Sequence, residues 1–181
     1  MVKLHLGCGE RNFGPDWVHI DGGDFDHLDS HCITKLDYER DSVDLIYASH
    51  VLEYFDREEV VDVLKEWHRV LKPSAVLRLA VPDFGAMANL YAQDRVTVED
   101  VIGPLYGKWP MGDTTVYHKT TYDETSLKKL LTDMGFKKFQ RYNWKDTSHH
   151  EFDDHSQAYM APKGDKKNGT LISLNVQAQK L

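Results

Sequence analysis

The chain of 181 residues has little of several features that would narrow its function at once. It contains only two cysteines, Cys8 and Cys32, whose positions suit neither a disulfide framework nor a zinc site. No apolar run approaches the length that spans a membrane, and no segment has the pattern of a signal peptide. We therefore expect a soluble, cytoplasmic protein that forms a single domain over residues 1–181.

Positive charge is also in short supply. Lysine and arginine number 22 against 29 aspartates and glutamates, which gives a formal net charge of −7. A nucleic-acid-binding surface would require a basic stripe, so the charge balance argues against nucleic acid as a partner. The sequence also shows no internal repeat and no low-complexity segment, which fits a globular domain.

A glycine turn between two strand patterns stands near the start of the chain. An apolar strand pattern at Lys3–Leu6 runs into Gly7-Cys8-Gly9, and Asp21 follows twelve residues after Gly9 at the end of a second strand pattern. Glycine lets a ligand approach the backbone closely, and a carboxylate at the next strand end can accept both hydrogens of a ribose diol. The pattern therefore predicts a nucleoside site at the edge of a parallel sheet.

The spacing around this turn argues against a dinucleotide. A pyrophosphate is held at the N-terminus of a full helix, and the dinucleotide fingerprint has a third glycine three residues after the second. That position is Asn12 here, and only residues 11–16, with Gly14-Pro15 among them, separate the turn from the next strand. A nicotinamide-dependent oxidoreductase is therefore disfavoured, whereas S-adenosylmethionine, which has no phosphate, suits a site without a helix.

Strand and helix patterns alternate along the chain, which predicts an α/β protein with a parallel sheet. One helix is expected after the capping pair Asp56 and Glu59, and a second over residues 124–134 with Asp123 as its N-cap. Further strand patterns lie at residues 42–48, 76–81, 136–142 and 170–178, with a short candidate strand around Cys32 and Ile33. Because polar and apolar residues alternate in the last of these, one of its faces is expected to be solvated.

Four segments in order carry a family resemblance: Leu6–Gly9, Asp44–Glu53, Glu66–Pro73 and Leu77–Asp83. Together they resemble class I S-adenosylmethionine-dependent methyltransferases of the small type 11 group. The resemblance runs from Val2 to about Tyr142, and residues 169–175 are similar to the tail of small methyltransferases in this group. It implies a Rossmann-like three-layer sandwich. Its mostly parallel seven-stranded sheet would end in an antiparallel strand made by a C-terminal hairpin.

The resemblance also implies S-adenosyl-L-methionine as the cofactor and suggests its contacts. The glycine turn would pass under the methionine and ribose moieties, and Asp21 after the second strand would hold the ribose hydroxyls. The end of the third strand would border the adenine, and the end of the fourth strand would border the methyl group. The implied cofactor residues are Leu6, Gly7, Cys8, Gly9, Asp21, Gly22, Cys32, Ile33, Ser49 and His50.

Three positions depart from the family pattern. His5 stands where an acid is common in the first strand, Cys32 aligns with an acid that often contacts adenine, and Ser74 replaces a glycine before the fifth strand. The adenine contact would then come from the backbone, or from Asp29 or Asp37 nearby.

Two histidines are predicted as catalytic residues. Methylation of a hydroxyl or a protonated amine needs a base near the acceptor, and histidine titrates near neutral pH. His50 lies at the strand end that faces the cofactor, and His118 lies shortly before the second predicted helix. A structural histidine held by hydrogen bonds is the alternative for each, and Glu53 is expected to anchor a loop or a helix start.

Residues 84–118 are predicted to form a lid that binds the acceptor, with ordinary packing of a cap as the alternative. This segment follows the fifth strand over the open end of the sheet and combines glycine and proline with large side chains. Those side chains are Met87, Tyr91, Tyr106, Trp109, Met111 and Tyr117.

The segment His149–His155 contains three histidines and three acids, a composition that could bind a divalent cation. Asp153 and Asp154 are adjacent, however, and no ligand spacing is diagnostic. We therefore predict no metal site, and a substrate-side or solvated loop instead.

The main hypothesis is a methyltransferase that transfers a methyl group from S-adenosylmethionine to an oxygen or nitrogen of a small polar metabolite. The alternative is a non-catalytic protein of the same fold that binds a nucleoside ligand or acts as a partner subunit. Because the chain starts at its first strand, it lacks the N-terminal helices that often roof the pocket in this family. A second copy could supply that roof, so a homodimer is a further expectation.

Overall fold

In the computed structural model, which describes residues 1–111 and 114–181, one central sheet organises the chain. The strands are β1 (Lys3–Leu6), β2 (Val18–Ile20), β3 (Val43–Ser49), β4 (Leu71–Pro82), β5 (Trp109–Met111), β6 (Thr114–Val116), β7 (Phe136–Arg141), β8 (Tyr159–Met160), β9 (Thr170–Leu171) and β10 (Ser173–Lys180). The helices are α1 (Glu59–Val70), α2 (Phe84–Ala92), α3 (Val98–Tyr106) and α4 (Glu124–Asp133), with 3-10 turns at Leu52–Tyr54, Trp144–Asp146 and His155–Gln157. Across the described ranges, none of the helices has the length and apolar character needed to cross a bilayer.

The central sheet has the strand order β2-β1-β3-β4-β10-β7. β2, β1, β3 and β4 are parallel neighbours, whereas β10 runs antiparallel to both β4 and β7. The α/β class, the mostly parallel sheet and the antiparallel last strand predicted from the sequence are therefore confirmed. The C-terminal hairpin is not a tight one, because residues 142–172 connect β7 to β10 and contain the small β8–β9 pair.

The prediction of seven strands is not confirmed, because the sheet has six strands in the part of the chain that is described. The missing strand is the short one expected around Cys32 and Ile33. There the chain forms one isolated bridge between Ser30 and Ile20 and then leaves the sheet edge. The carbonyl of Ile33 instead accepts a hydrogen bond of 2.8 Å from the indole of Trp67, so helix α1 holds this segment in place of a neighbouring strand.

One face of the sheet carries the main apolar core. Side chains from alternate positions of the strands, such as Leu4 and Ile46, pack against the apolar stripes of α1 and α4. The predicted capping pair forms as expected: Asp56 accepts from the backbone amide of Glu59, and Glu59 accepts from that of Asp56. Helix α4 begins at the predicted cap Asp123. Local sequence patterns therefore account for both helices that cover this face.

The opposite face is polar and aromatic, and residues 143–158 cover it. His5 and Tyr47 are paired across β1 and β3 and project among aromatic rings on this side. The expectation that β10 has a solvated face is wrong, because Asn175 is only 3% exposed. Its side-chain amide donates a hydrogen bond of 2.8 Å to the carbonyl of Ser156 in the covering segment. An irregular segment thus forms the layer that covers this face of the sheet.

Residues 84–111 and 114–118 form the element predicted as a lid. Helices α2 and α3 share a small apolar cluster with Met160 and Ile172, and the β5–β6 pair extends beyond it. Along α3 the side chains of Val98, Ile102 and Tyr106 are about half exposed and follow one another at four-residue spacing. This element therefore has a packed base and an exposed apolar side.

Candidate functional site

The glycine turn after β1 is held in place by the end of β2. Gly7 and Gly9 both have positive φ angles, and a Cβ on Gly7 would lie 2.3 Å from a methyl carbon of Val51. Glycine is therefore required at Gly7 both for its backbone conformation and for space. Asp21 accepts hydrogen bonds from the amides of Gly9 (2.8 Å) and Gly23 (2.7 Å). The glycine turn and Asp21, which the sequence pattern associates, are thus in direct contact in the structure.

The segment predicted as a lid reaches the same edge of the sheet. Gly22, next to Asp21, is exposed, and a Cβ built on it would lie 3.4 Å from the sulfur of Met111 in β5. A carboxylate oxygen can accept two hydrogen bonds, so Asp21 keeps acceptor capacity beyond its two backbone contacts. The predicted ribose-binding position therefore lies beneath the β5 strand of the lid.

The two cysteines differ in their surroundings. Burial raises the pKa of the Cys8 thiol to about 12, and its side chain packs beneath the glycine turn at 1% exposure. This agrees with Cys8 being a small packed residue and not a nucleophile. Cys32 is exposed, and a hydrogen bond from the Thr34 hydroxyl is the main cause that lowers the pKa of its thiol. Ile33, also expected near the adenine, is partly buried against the main core.

At the end of β3, Ser49 and His50 lie in buried surroundings. The Ser49 hydroxyl has no hydrogen-bond partner among the described residues, although the residue is only 7% exposed. His50 has a φ angle of 55°, and its Nε2 lies 3.1 Å from the hydroxyl of Ser173. The Ser173 hydroxyl donates to the side-chain Oδ1 of Asn175, so its remaining bond is one that it accepts. His50 must therefore carry its proton on Nε2, which leaves a lone pair on Nδ1.

His118 has the same arrangement as His50: its protonated ring nitrogen is bonded away from Glu53, and its other ring nitrogen faces Glu53. Its Nδ1 lies 3.0 Å from the carbonyl oxygen of Pro104, which can only accept, so Nδ1 carries the proton and Nε2 a lone pair. That lone pair faces Glu53, whose Oε1 lies 3.9 Å from His118 Nε2 and 3.3 Å from His50 Nδ1. The two histidines predicted as catalytic residues are thus brought together around one carboxyl group.

Glu53 is fully buried, and neither of its side-chain oxygens has a hydrogen-bond partner within the described structure. Burial raises the pKa of its carboxyl group to about 8. A neutral carboxylic acid fits the geometry, because it can offer its proton to a histidine lone pair. The backbone of Glu53 also acts as the expected anchor, since its carbonyl accepts hydrogen bonds from the amides of Lys119 and Thr120.

We call Ser49, His50, Glu53, His118 and Tyr122 the strand-end cluster. Tyr122 belongs to it because burial, and after it Glu53, raises the pKa of its phenol, and its hydroxyl is buried without a partner in the described structure. Buried polar groups are normally paired, so several unpaired ones in one place mark a site that a polar ligand or water would satisfy. Sequence patterns gave no signal for Tyr122 or for the central position of Glu53.

The three histidines of residues 149–155 separate in the structure. His149 is buried and stacks on Phe13 with 4.5 Å between ring centroids, whereas the Nδ1 of His150 lies 2.9 Å from the carbonyl of Thr147. His155 is exposed and lies beside His50, with 5.1 Å between ring centroids. No group of three or more potential ligands in the described ranges is arranged to hold a metal ion. The segment therefore places one histidine, His155, beside the strand-end cluster.

A sequence model of a known family matches part of the chain. A model of the methyltransferase domain family matches residues 22–79, which run from just after β2 through most of β4. No curated protein matches the chain. The match includes the strand-end residues Ser49, His50 and Glu53 but not the glycine turn.

Solved structures match over nearly the whole chain. An S-adenosylmethionine-dependent methyltransferase from Methanosarcina mazei has a TM-score of 0.58 at 19% identity, covering 99% of this chain and 92% of that one. The Burkholderia thailandensis 1,6-didemethyltoxoflavin-N1-methyltransferase, with 1,6-didemethyltoxoflavin and S-adenosylhomocysteine bound, has a TM-score of 0.57 at 15% identity, covering 99% and 70%. A complex between the Haloferax volcanii Trm112 methyltransferase activator and a methyltransferase has a TM-score of 0.55 at 15% identity, covering 98% and 81%. At these identities the likeness establishes the fold.

Proposed function

The chain has the class I S-adenosylmethionine-dependent methyltransferase fold and a matching methyltransferase domain segment, and from this premise we propose that it is an active methyltransferase. The family match and the structural neighbours support S-adenosylmethionine as the cofactor, and the resemblance noted in the sequence is confirmed. The proposed reaction is O- or N-methylation of a small polar metabolite. The cytoplasm is the proposed location, and the free thiols of Cys8 and Cys32 are compatible with it.

One observation carries the proposal: the glycine turn, Asp21 and the strand-end cluster lie along the carboxyl ends of adjacent parallel strands. β1 pairs with both β2 and β3, so the loops that follow these three strands are neighbours. Ligands of open α/β sheets bind at this edge. We assign the ribose to Asp21 and Gly22, the methionine moiety to Leu6–Gly9, and the methyl end to Ser49 and His50. The adenine would lie near Cys32 and Ile33.

Methyl transfer requires mainly alignment and exclusion of water. The acceptor atom attacks the methyl carbon in line with the sulfur, and the electron pair of the breaking bond remains on sulfur. We propose that residues 84–118 cover this reaction as a lid, because Met111 already lies over Gly22. The exposed rings of Tyr106 and Trp109 give the lid apolar surface with which to exclude water.

The strand-end cluster supports a polar acceptor. Its unpaired Ser49 and Tyr122 hydroxyls and its Glu53 carboxyl group offer hydrogen bonds that no described side chain uses. His50 and His118 remain predicted catalytic residues. Each has one ring nitrogen engaged away from the cluster and the other directed toward Glu53, so neither meets the acceptor directly and both act through Glu53.

The test is calorimetric titration with S-adenosylhomocysteine of the wild type and of Asp21→Asn. The amide keeps the shape of Asp21 but loses the charge and half of the acceptor capacity. We expect binding in the micromolar range that weakens by about 1–3 kcal/mol in Asp21→Asn. Asp24→Asn is the matched control, because Asp24 is an exposed carboxylate in the same loop, and it should bind as the wild type does.

Thermal unfolding of each variant separates loss of the contact from loss of the fold, since Asp21 also holds two backbone amides. A folded wild type that does not bind S-adenosylhomocysteine would contradict the proposal. Equal weakening by Asp21→Asn and Asp24→Asn would show that charge in the loop, and not the ribose contact, determines affinity.

A second candidate is a non-catalytic subunit of this fold that works through a partner or a second copy. The exposed stripe of Val98, Ile102 and Tyr106 on α3 favours it, because contiguous apolar surface is often an interface. One structural neighbour is a complex between a methyltransferase and the Haloferax volcanii Trm112 methyltransferase activator. Light scattering tests for a homodimer. A wild type that binds S-adenosylhomocysteine but releases none from S-adenosylmethionine with any small acceptor would favour this candidate.

A further inference from the structure

The two histidines predicted from the sequence are poorly placed to take a proton directly from an acceptor. His50 uses Nε2 on Ser173, and His118 uses Nδ1 on Pro104. The remaining nitrogen of each faces the buried Glu53. Both side chains are also largely enclosed, at 13% and 7% exposure. A base that meets a diffusing acceptor needs a free nitrogen on the accessible side of the cluster.

His155 meets this requirement. It is exposed, its ring centroid lies 5.1 Å from that of His50, and its ring nitrogens make no hydrogen bond to any described residue. It lies at the end of the sheet where β3 terminates, because its 3-10 turn packs against β4 and β10. His155 therefore borders the strand-end cluster from the side that solvent can reach.

The position of His155 is determined by its neighbours in the chain. Asp154 is buried and accepts hydrogen bonds from the Tyr47 hydroxyl and from the amide and hydroxyl of Ser156. On the other side, the Arg11 side chain donates to the carbonyl of Asp153 at 2.9 Å. This second bond ties the segment to the chain just after the glycine turn. His155 is thus held between the proposed methionine site and the end of β3.

We propose that His155 is the catalytic base that accepts the proton of the methyl acceptor, an inference that rests on the proposed methyltransferase function. As the acceptor oxygen or nitrogen bonds to the methyl carbon, the carbon–sulfur bond breaks and its electron pair stays on sulfur. The acceptor's proton moves to a ring nitrogen of His155. The resulting imidazolium then releases that proton to solvent, which its exposure allows.

The charges around His155 favour a neutral ring that is ready to accept a proton. Burial of part of the ring is the first cause that lowers its pKa, and the Arg11 guanidinium from the glycine turn is the second. Asp153 and Asp154, on its own segment, act in the opposite direction. His50 packs against it, and His118 also lies near enough to interact with it electrostatically. Burial is the first cause that lowers the pKa of both histidines, so both are neutral.

The first test compares histidine titrations by NMR in two complexes of the full chain, one with S-adenosylmethionine and one with S-adenosylhomocysteine. S-adenosylmethionine carries a positive sulfonium, whereas S-adenosylhomocysteine has a neutral thioether at the same place. A unit charge about 7 Å away lowers a histidine pKa by about 0.5–2 units for effective dielectric constants between about 80 and 20. We expect this difference between the two complexes for His155, with His155→Gln used to assign its signals.

His150 is the matched control, because it lies on the same segment but bonds to Thr147, and its ring signals should be the same in the two complexes. If both ligands bind and the pKa of His155 does not differ between them, the inference is overturned while the cofactor site stands. If neither ligand binds, the proposed function itself fails. The two failures are therefore distinguishable.

Proton transfer is tested by turnover with the acceptor that the wild type methylates. His155→Ala should keep its affinity for S-adenosylhomocysteine but lose about 100-fold or more in kcat, and added imidazole should restore part of it. A structural role would not respond to imidazole. His150→Ala should retain wild-type kcat, and an unchanged kcat in folded His155→Ala would overturn the inference.

Discussion

Two buried carboxyl groups in this protein have opposite surroundings. Asp154, at 6% exposure, accepts three hydrogen bonds from Tyr47 and Ser156. Glu53, at 0% exposure, accepts none from the described residues and faces two histidine lone pairs. Asp154 joins an irregular segment to the sheet, whereas Glu53 sits where the proposed chemistry takes place. The difference suggests that one carboxyl group stabilises the fold and the other lowers stability in favour of function.

The two carboxyl groups also have different roles in how the site is assembled. The fully bonded Asp154 gives the covering segment a defined conformation, and the next residue in the chain is His155. The unpaired Glu53 keeps hydrogen-bonding capacity that a ligand can use. Buried polar groups of the same chemical type can therefore serve opposite purposes, depending on whether the protein itself satisfies them.

The largest expected effect comes from removing the satisfied carboxylate. Asp154→Ala leaves the Tyr47 hydroxyl and two Ser156 donors without their acceptor, so we expect a loss of about 3–5 kcal/mol in the free energy of unfolding. Urea denaturation measures it. Tyr47→Phe is the control, because it removes a single hydrogen bond and should cost about 1–2 kcal/mol. Equal small losses in both variants would contradict an anchoring role for Asp154.

Glu53→Gln is expected to raise the free energy of unfolding, whereas Asp154→Ala lowers it. The pKa of Glu53 is raised from 4.5 to about 8, so the folded state retains a proton that the unfolded chain releases above pH 4.5. Stability is fully present below pH 4.5 and falls as the pH rises to about 8, by about 3 kcal/mol at pH 7. Glutamine cannot ionise, so Glu53→Gln should lose this pH dependence and become the more stable protein at pH 7.

Urea denaturation of wild type and Glu53→Gln at pH 5 and pH 8 gives the measurement. The two proteins should differ little at pH 5 and most at pH 8. Parallel stability curves would mean that Glu53 is ionised in the folded state. This result would contradict a neutral carboxylic acid at the centre of the strand-end cluster.

A smaller effect is expected at the aromatic stack beneath the covering segment. Burial lowers the pKa of His149 from 6.5 to about 4, so the unfolded chain takes up a proton below pH 6.5 that the folded state does not accept. Stability is therefore lost as the pH falls from 6.5 to about 4, by about 2 kcal/mol at pH 5. His149→Phe keeps a ring against Phe13 and should reduce the loss between pH 7 and pH 5 by that amount. Thermal and urea unfolding at both pH values would show it, and an unchanged loss would refute it.

Much of the fold could be predicted because its signals are local. The stripe after Asp56 and the cap at Asp123 specify α1 and α4, since helix formation depends on residues three or four apart. The glycine turn and Asp21 were recognisable for a similar reason, because they lie close in sequence and at the ends of neighbouring strands. Each of these features is the same in the structure as in the prediction.

The errors lie where a local pattern has two possible partners. Alternation in β10 correctly predicted a strand, but Asn175 turned out to be buried, because a segment distant in sequence covers that face. The short apolar pair Cys32-Ile33 suggested an edge strand, but the carbonyl of Ile33 bonds to Trp67 instead. In both cases a contact between remote parts of the chain decided between alternatives that the local sequence left equally open.

The sequence by itself determined the α/β class, helices α1 and α4, the glycine turn with Asp21, and the presence of histidines suited to proton transfer. Only the tertiary structure decided that Glu53 stands between His50 and His118, and that His155 lies beside His50. The physical reason is that periodicity and capping act over a few residues, whereas a buried polar cluster is built from loops that meet only after the strands have paired.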